Sequence, residues 1–203
     1  MCFLLASGLL LVLARVFGDD FVAALLPVFR WELELLDDHY RILFLGLTSQ
    51  GADSVVRLDV TLARPVIAGA RVIVPDPRGI ATVTTLAGHV LQPAILMLAG
   101  LVAWPVRQLH EYHARVATGA VMLTLLLLVD VPFVLLAEIW SMFVEPHASW
   151  SYSPLIAWSA FLQSGGRLAL ALALSVFVVI AGQRFADVPK GLFARGAKLC
   201  GFS

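Results

Sequence analysis

Residues 30–85 interrupt an otherwise apolar chain with a period of two, and this switch constrains the fold more than any other feature. Trp31-Glu32-Leu33-Glu34-Leu35 alternates apolar and charged residues, the pattern of a strand with one buried face. Val56, Leu58, Val60 and Leu62 repeat it, with Arg57, Asp59 and Thr61 on the other face. Strands are expected near 31–36, 41–48, 54–63, 66–74 and 80–85. Asp37-Asp38-His39 and Ser49-Gln50-Gly51-Ala52-Asp53 supply turn formers, and Pro75-Asp76-Pro77-Arg78-Gly79 cannot continue a ladder. Pro65 marks an edge or a break between the third and fourth strands. Short connections favour an antiparallel meander. A block of this size is marginal alone, so it is expected to rest on a membrane surface or on a partner.

The flanks read as membrane helix. The chain of 203 residues is 60% hydrophobic and 14% charged, with a mean hydropathy of +0.91, where a soluble domain has about 25% charged residues. Residues 2–17 form an apolar run broken by Ser7, Gly8 and Arg15. A signal peptide would need a basic leading region and a small-residue cleavage site, so a retained first helix is expected, with start-site choice a possible source of missing upstream residues. For the same reason Cys2 is not read as a lipoprotein anchor. Gly18-Asp19-Asp20 is expected to end that helix, because carboxylates at mid-bilayer are costly. Residues 21–29 are read as a short interfacial helix ending near Pro27. Further spans are expected at 87–106, 116–137 and 163–183, with residues 155–162 along the membrane boundary and a polar loop at 107–115. The loop at 138–154 carries Trp140, Phe143, Trp150 and Tyr152, residues that favour the lipid–water boundary.

The expected architecture is an α+β membrane protein of about four transmembrane helices, with a small extracytoplasmic antiparallel β block between helices one and two. Its parts are 1–29, 30–85, 86–183 and a basic tail at 184–203. Arg107 and Arg115 flank one loop, and the tail holds Arg184, Lys190, Arg195 and Lys198 against Asp187, while 138–154 has no lysine or arginine. The positive-inside rule then places the 107–115 loop, the tail and the N-terminus in the cytoplasm and the β block outside. The six arginines of residues 30–85 run against this, although seven carboxylates accompany them. With 14 basic and 14 acidic residues overall, nothing in the charge points to nucleic acid. Cys2 and Cys200 lie at opposite ends, both on the expected cytoplasmic side, which argues against a structural disulfide.

Ionisable groups inside spans are rare and tend to pair. Asp130 and Arg167 are two such groups, and helix geometry puts them within about 5 Å in depth near the outer side. His89, Gln92 and Gln163 fall at the same outer level. Pro132 frees the carbonyl of Leu128 beside Asp130. Three uses remain open for this cluster: a structural lock, a pocket beneath the sheet that holds a substrate or a partner's segment, and a proton or ion relay. No inner-leaflet carboxylate extends a relay.

His110-Glu111-Tyr112-His113 supplies too few ligands for zinc and departs from the H-E-x-x-H spacing. It reads as a solvated turn. Glu138, Glu145 and His147 share the outer loop without a third histidine or a nucleophile. No G-x-S-x-G elbow, Cys–His context or phosphate-binding loop occurs, and Ser164-Gly165-Gly166 reads as a helix-packing or helix-start element. No catalytic residue, metal or cofactor is expected.

The order of parts, with His89-Val90-Leu91-Gln92-Pro93-Ala94, Leu101-Val102-Ala103-Trp104-Pro105, Trp158-Ser159-Ala160-Phe161-Leu162 and Gly165-Gly166-Arg167-Leu168-Ala169-Leu170, resembles the exosortase-associated membrane proteins, accessories of exosortases of the type called H. The resemblance spans residues 21–181 loosely. It implies a bacterial inner-membrane accessory to protein sorting, in contact with membrane lipids and another membrane protein, with no catalytic set of its own. An embedded outer-side cysteine, which an exosortase would need, is missing. A small transporter or channel component using Asp130 and Arg167, and an intramembrane enzyme at 138–147, are the alternatives.

Overall fold

The first helix runs straight through the two breaks expected of it. The computed structural model of the chain describes residues 2–68, 71–76, 78–106, 109–144 and 152–199, with side chains described as far as Arg184. Within it, α1 (Cys2–Leu36) is one 35-residue helix that contains Gly18, Asp19, Asp20 and Pro27, about 52 Å long. The expected strand at 31–36 is therefore helix. Leu33 is buried, whereas Trp31 and Leu35 are exposed on the opposite side; a strand would have set all three on one face. Phe29 and Leu33, four residues apart, belong to the same buried side as Val22.

The remaining strands are β1 (Tyr40–Gln50), β2 (Asp53–Leu62), β3 (Val66–Ala68), β4 (Arg71–Ile73) and β5 (Ala81–Leu86). The expected meander is corrected in one respect. β2 pairs antiparallel with both β1 and β5, and β3 and β4, expected as one strand, form a separate two-stranded unit between them in sequence. Gly51 takes a φ of 67° in the tight β1–β2 turn, a region that suits glycine. A register shift between Ile42 and Phe44 places a bulge at Leu43. On the inner face Leu45, Leu58 and Val83 lie abreast. They join Phe29 and Leu33 of α1 and a row from the next long helix, Leu127, Val131, Leu135 and Ile139, in one core. The sheet thus covers its apolar face with helix from its own chain.

β5 passes directly into α2 (Ala87–Ala103), as expected from the absence of a linker. α3 (Leu109–Val144) is longer than the expected span at both ends. Residues 109–115 are its first turns and not a loop, and residues 138–144 continue it into the expected outer loop. α4 (Pro154–Phe161) packs on α3; the indole Nε1 of Trp158 donates to the Val129 carbonyl at 3.1 Å. A π-helical turn (Leu162–Gly166) joins α4 to α5 (Arg167–Leu199). Gly165 takes a φ of 103° there. A Cβ on Gly166 would stand 2.6 Å from the Phe161 carbonyl oxygen. The two glycines therefore make the bend that Ser164-Gly165-Gly166 encodes.

Contacts between helices divide the molecule into two layers. Ser54 Oγ, beside the β1–β2 turn, donates to Asp19 Oδ2 at 2.8 Å, and β5 ends at Leu86 opposite Val55. Asp19, the start of α2, Asp130 and Arg167 consequently lie near one level. On one side of that level stand the sheet and the later halves of α1 and α3. On the other, residues 2–19, 87–103, 111–130 and 167–184 pack as four segments of about 17–20 residues, ~26–30 Å each. Gly18 packs on Leu91, Gly100 on Ser175, Gly119 on Leu101 and Gly182 on Arg115. Two helical stretches, Glu111–Phe143 and Pro154–Arg184, are long and apolar enough to cross a membrane.

Candidate functional site

Arg167 is the first residue after the π turn, and the bend at Gly165 and Gly166 turns it toward α3. Its Nε donates to Asp130 Oδ1 at 2.7 Å, with the two side chains 6% and 1% exposed. Two buried opposite charges in contact hold α3 to α5. The contact is incomplete. Oδ2 of Asp130 is buried with no hydrogen-bond partner among the described residues, and the bond uses only one of Arg167's three nitrogens.

A cavity of about 460 Å³ opens beside this pair. Its lining includes His89 and Gln92 of α2, Gln163 of the π turn and Arg167, so four of the five polar residues expected at one level share this space, and Asp130 reaches it through Arg167. His89 lies within electrostatic range of both Asp130 and Arg167. Pro93 lacks the N–H that would serve the His89 carbonyl in α2, which leaves another acceptor at this end of the helix. Thr84 and Thr85 of β5 form the roof, and Glu138 of α3 completes the wall.

Glu138 is the residue that reading by segments misplaces. The sequence groups it with Glu145 and His147 in an outer loop, whereas it lies in α3, two turns beyond Asp130, and faces the same cavity. The spacing Asp130, Val134, Glu138 carries the signal, since residues four apart share a helix face. Glu145 and His147 lie outside the described residues.

A second buried ion pair, at the far end of the helix layer, was not expected. Arg115 pairs with Glu111 one turn away, both nearly inaccessible. Its guanidinium also donates to the carbonyls of Trp104 and Pro105, at 3.2 and 3.3 Å, and so caps the end of α2. His113 Nδ1 is 2.9 Å from the Leu109 carbonyl. The sequence His110-Glu111-Tyr112-His113 is thus a helix start, and the E-x-x-x-R spacing was its visible mark. Asp37, Asp38 and His39 bring three metal-type ligand atoms within 4.8 Å of one another. Asp37 accepts from the His39 backbone N–H at 2.9 Å and Arg64 pairs with Asp38, so the group closes the turn from α1 to β1.

Comparison with protein-family models, curated proteins and solved structures found no match for this chain.

Proposed function

We propose that the chain is a four-span integral membrane protein of the bacterial inner membrane that works as a non-enzymatic accessory, docking a partner on its outer layer. In this reading residues 2–19, 87–103, 111–130 and 167–184 cross the bilayer, the sheet stands outside and the C-terminal segment is cytoplasmic. Leu4, Leu5, Leu9, Val12 and Val16 are exposed along the first segment, as a lipid-facing surface would be.

One observation carries the docking reading: the outer layer leaves an apolar surface uncovered. β1 pairs only with β2 among the described residues, so its other edge offers free backbone groups. Leu43 and Phe44 are exposed on β1, and Val28, Trp31 and Leu35 are exposed at helical spacing on α1, above the level of Asp19. An extended partner segment added to β1 would cover both. The resemblance noted above makes an exosortase-type enzyme the first partner to test. A transporter is less well supported, because the buried charges fall into two separate pairs, Asp130–Arg167 and Glu111–Arg115. Between them the buried polar side chain among the described residues is Ser175, whose hydroxyl donates to the Leu172 carbonyl of its own helix.

Purification from native membranes in gentle detergent, with mass spectrometry of co-purifying proteins, tests the reading. A stoichiometric membrane enzyme or export component, lost when Phe44 and Trp31 are changed to Asp, is the expected result. A chain that comes out alone or only with itself overturns it.

A further inference from the structure

The polar cavity beside Arg167 shares part of its wall with a neighbouring space. Gln92 and Leu168 also line a second space of about 570 Å³, a groove between α1 and α2 on the membrane side of the Asp19 level. The groove is much the more apolar of the two. The groove is walled by Leu11, Leu91, Ile95 and Leu96, with Arg15 also on its lining. The cavity presents Arg167, Glu138, Gln92 and the two threonines of β5. Both volumes fall in the range of small-molecule sites. A polar chamber that adjoins an apolar groove, with Gln92 and Leu168 on the wall of both, fits one class of ligand, an amphiphile.

The charges narrow the headgroup. Asp130 is engaged with Arg167 through Nε, which leaves the guanidinium's two terminal nitrogens uncommitted among the described residues. Those nitrogens suit a phosphate, which guanidinium binds in a fork. Glu138 faces the same cavity, its carboxylate within electrostatic range of Arg167 but in no hydrogen bond or close ion pair among the described residues, about two turns farther from the groove than Asp130. Arg15 adds a cation at the groove. From the groove outward the order is apolar wall, cation, then carboxylate. An acyl chain, a phosphate and an ammonium follow that order in a phospholipid of the outer leaflet.

We propose that the adjoining cavity and groove bind one zwitterionic aminophospholipid, with its phosphate at Arg167 and Gln92, its ammonium at Glu138 and an acyl chain passing Leu168 into the groove between α1 and α2. A lipid so held would fill the gap between the sheet and the helix layer and fix the distance between them. The assignment rests on the membrane-spanning reading above, and alkaline carbonate extraction tests that reading separately.

The decisive experiment is native mass spectrometry of the full chain in detergent, incubated with equal amounts of dioleoyl phosphatidylethanolamine, phosphatidylcholine and phosphatidylglycerol. One molecule of phosphatidylethanolamine is expected to remain bound, favoured over phosphatidylglycerol by about tenfold, the scale of one charge-assisted hydrogen bond. Glu138→Gln should remove that preference while a phospholipid is still retained. Leu168→Trp, which narrows the passage, should abolish retention of all three. Equal retention of the three lipids by the unaltered chain, a preference for phosphatidylglycerol, or a preference unchanged by Glu138→Gln would each overturn the site. If Leu168→Trp does not fold, the unaltered chain and Glu138→Gln still decide. A chain that resists carbonate extraction yet keeps no phosphatidylethanolamine refutes the lipid site alone, whereas a chain that carbonate releases refutes the membrane reading.

Discussion

Replacing Asp130 and Arg167 singly and together measures how far the buried pair holds α3 to α5. Their side chains are 1% and 6% exposed, and one 2.7 Å bond joins them. In Asp130→Asn the guanidinium remains in place without a counter-charge. In Arg167→Gln the carboxylate does, and its Oδ2 already lacks a partner among the described residues. Breaking a buried pair from one side costs about 3–4 kcal/mol, because the surviving charge is left uncompensated. The double variant keeps two amides that can meet across the same gap, and it is expected to cost about as much as one single change. The coupling energy is then ~3 kcal/mol, at the upper end for residues in contact. At roughly 2–4 °C per kcal/mol for a chain of this size, each single variant should melt ~6–16 °C lower. Tryptophan fluorescence melts in one detergent give the readout. A double variant whose loss equals the sum of the two single losses would refute the reasoning, since the two charges would then be acting independently.

Three further outcomes follow from particular contacts. Gly166→Ala should destabilise by about 1–3 kcal/mol in thermal melts, because its new Cβ would meet the Phe161 carbonyl and ring at 2.6–2.7 Å; a wild-type melting temperature would show that the π turn can shift. Arg115→Lys should lower stability by about 2 kcal/mol or more in the same assay, because an ammonium cannot reproduce a fork shared by Glu111 and the carbonyls of Trp104 and Pro105. In the sheet, the hydrogen bond from Arg57, with another from Thr82, holds the Asp59 carboxyl below its usual range. A lowered folded-state pKa gives stability that is present above the ordinary carboxylate value of about 4 and lost as pH falls through the folded value. Asp59→Asn should therefore flatten the decline in melting temperature below about pH 4, and an unchanged acid limb would exclude this contribution.

The strands at 41–48, 54–63 and 80–85 were legible because period-2 runs of Val and Leu lie between turn formers. The segment 31–36 misled because five alternating residues fit two geometries. Leu33 is four residues after Phe29, so the core side of a helix and one face of a strand share that position. Arg30 and Glu34, 3.1 Å apart at i, i+4, were the helical evidence within the same window. The short pairing of β3 with β4 was hidden because Val66-Ile67 and Val72-Ile73-Val74 read as the two β-branched ends of one strand. Glu111 with Arg115 was hidden by a rule applied too broadly. A polar segment between apolar runs reads as a loop until its charges are paired off at helical spacing.

Asp130 and Arg167 were matched in depth even though both helix ends used to place them were misjudged. α3 ends at Val144 and not at 137, and the helix carrying Arg167 begins, through α4, at Pro154 and not at 163. The errors are similar in length and both run outward, so the relative depth survived while the absolute depth changed. That change alters what the pair means. With about 14 residues of α3 beyond Asp130, the pair lies where the sheet meets the helix layer. Asp19 falls at the same level and bonds to Ser54, so its carboxylate has a polar partner there. The cost of burying carboxylates in lipid was a sound reason to expect a break in α1. In the four-span reading proposed above, the chain meets that cost without one, because the sheet stands beside the helix where Asp19 would leave the lipid. Asp19 of α1, Asp130 of α3 and Arg167 of α5 thus mark a boundary between layers, and a ligand bound there would touch both.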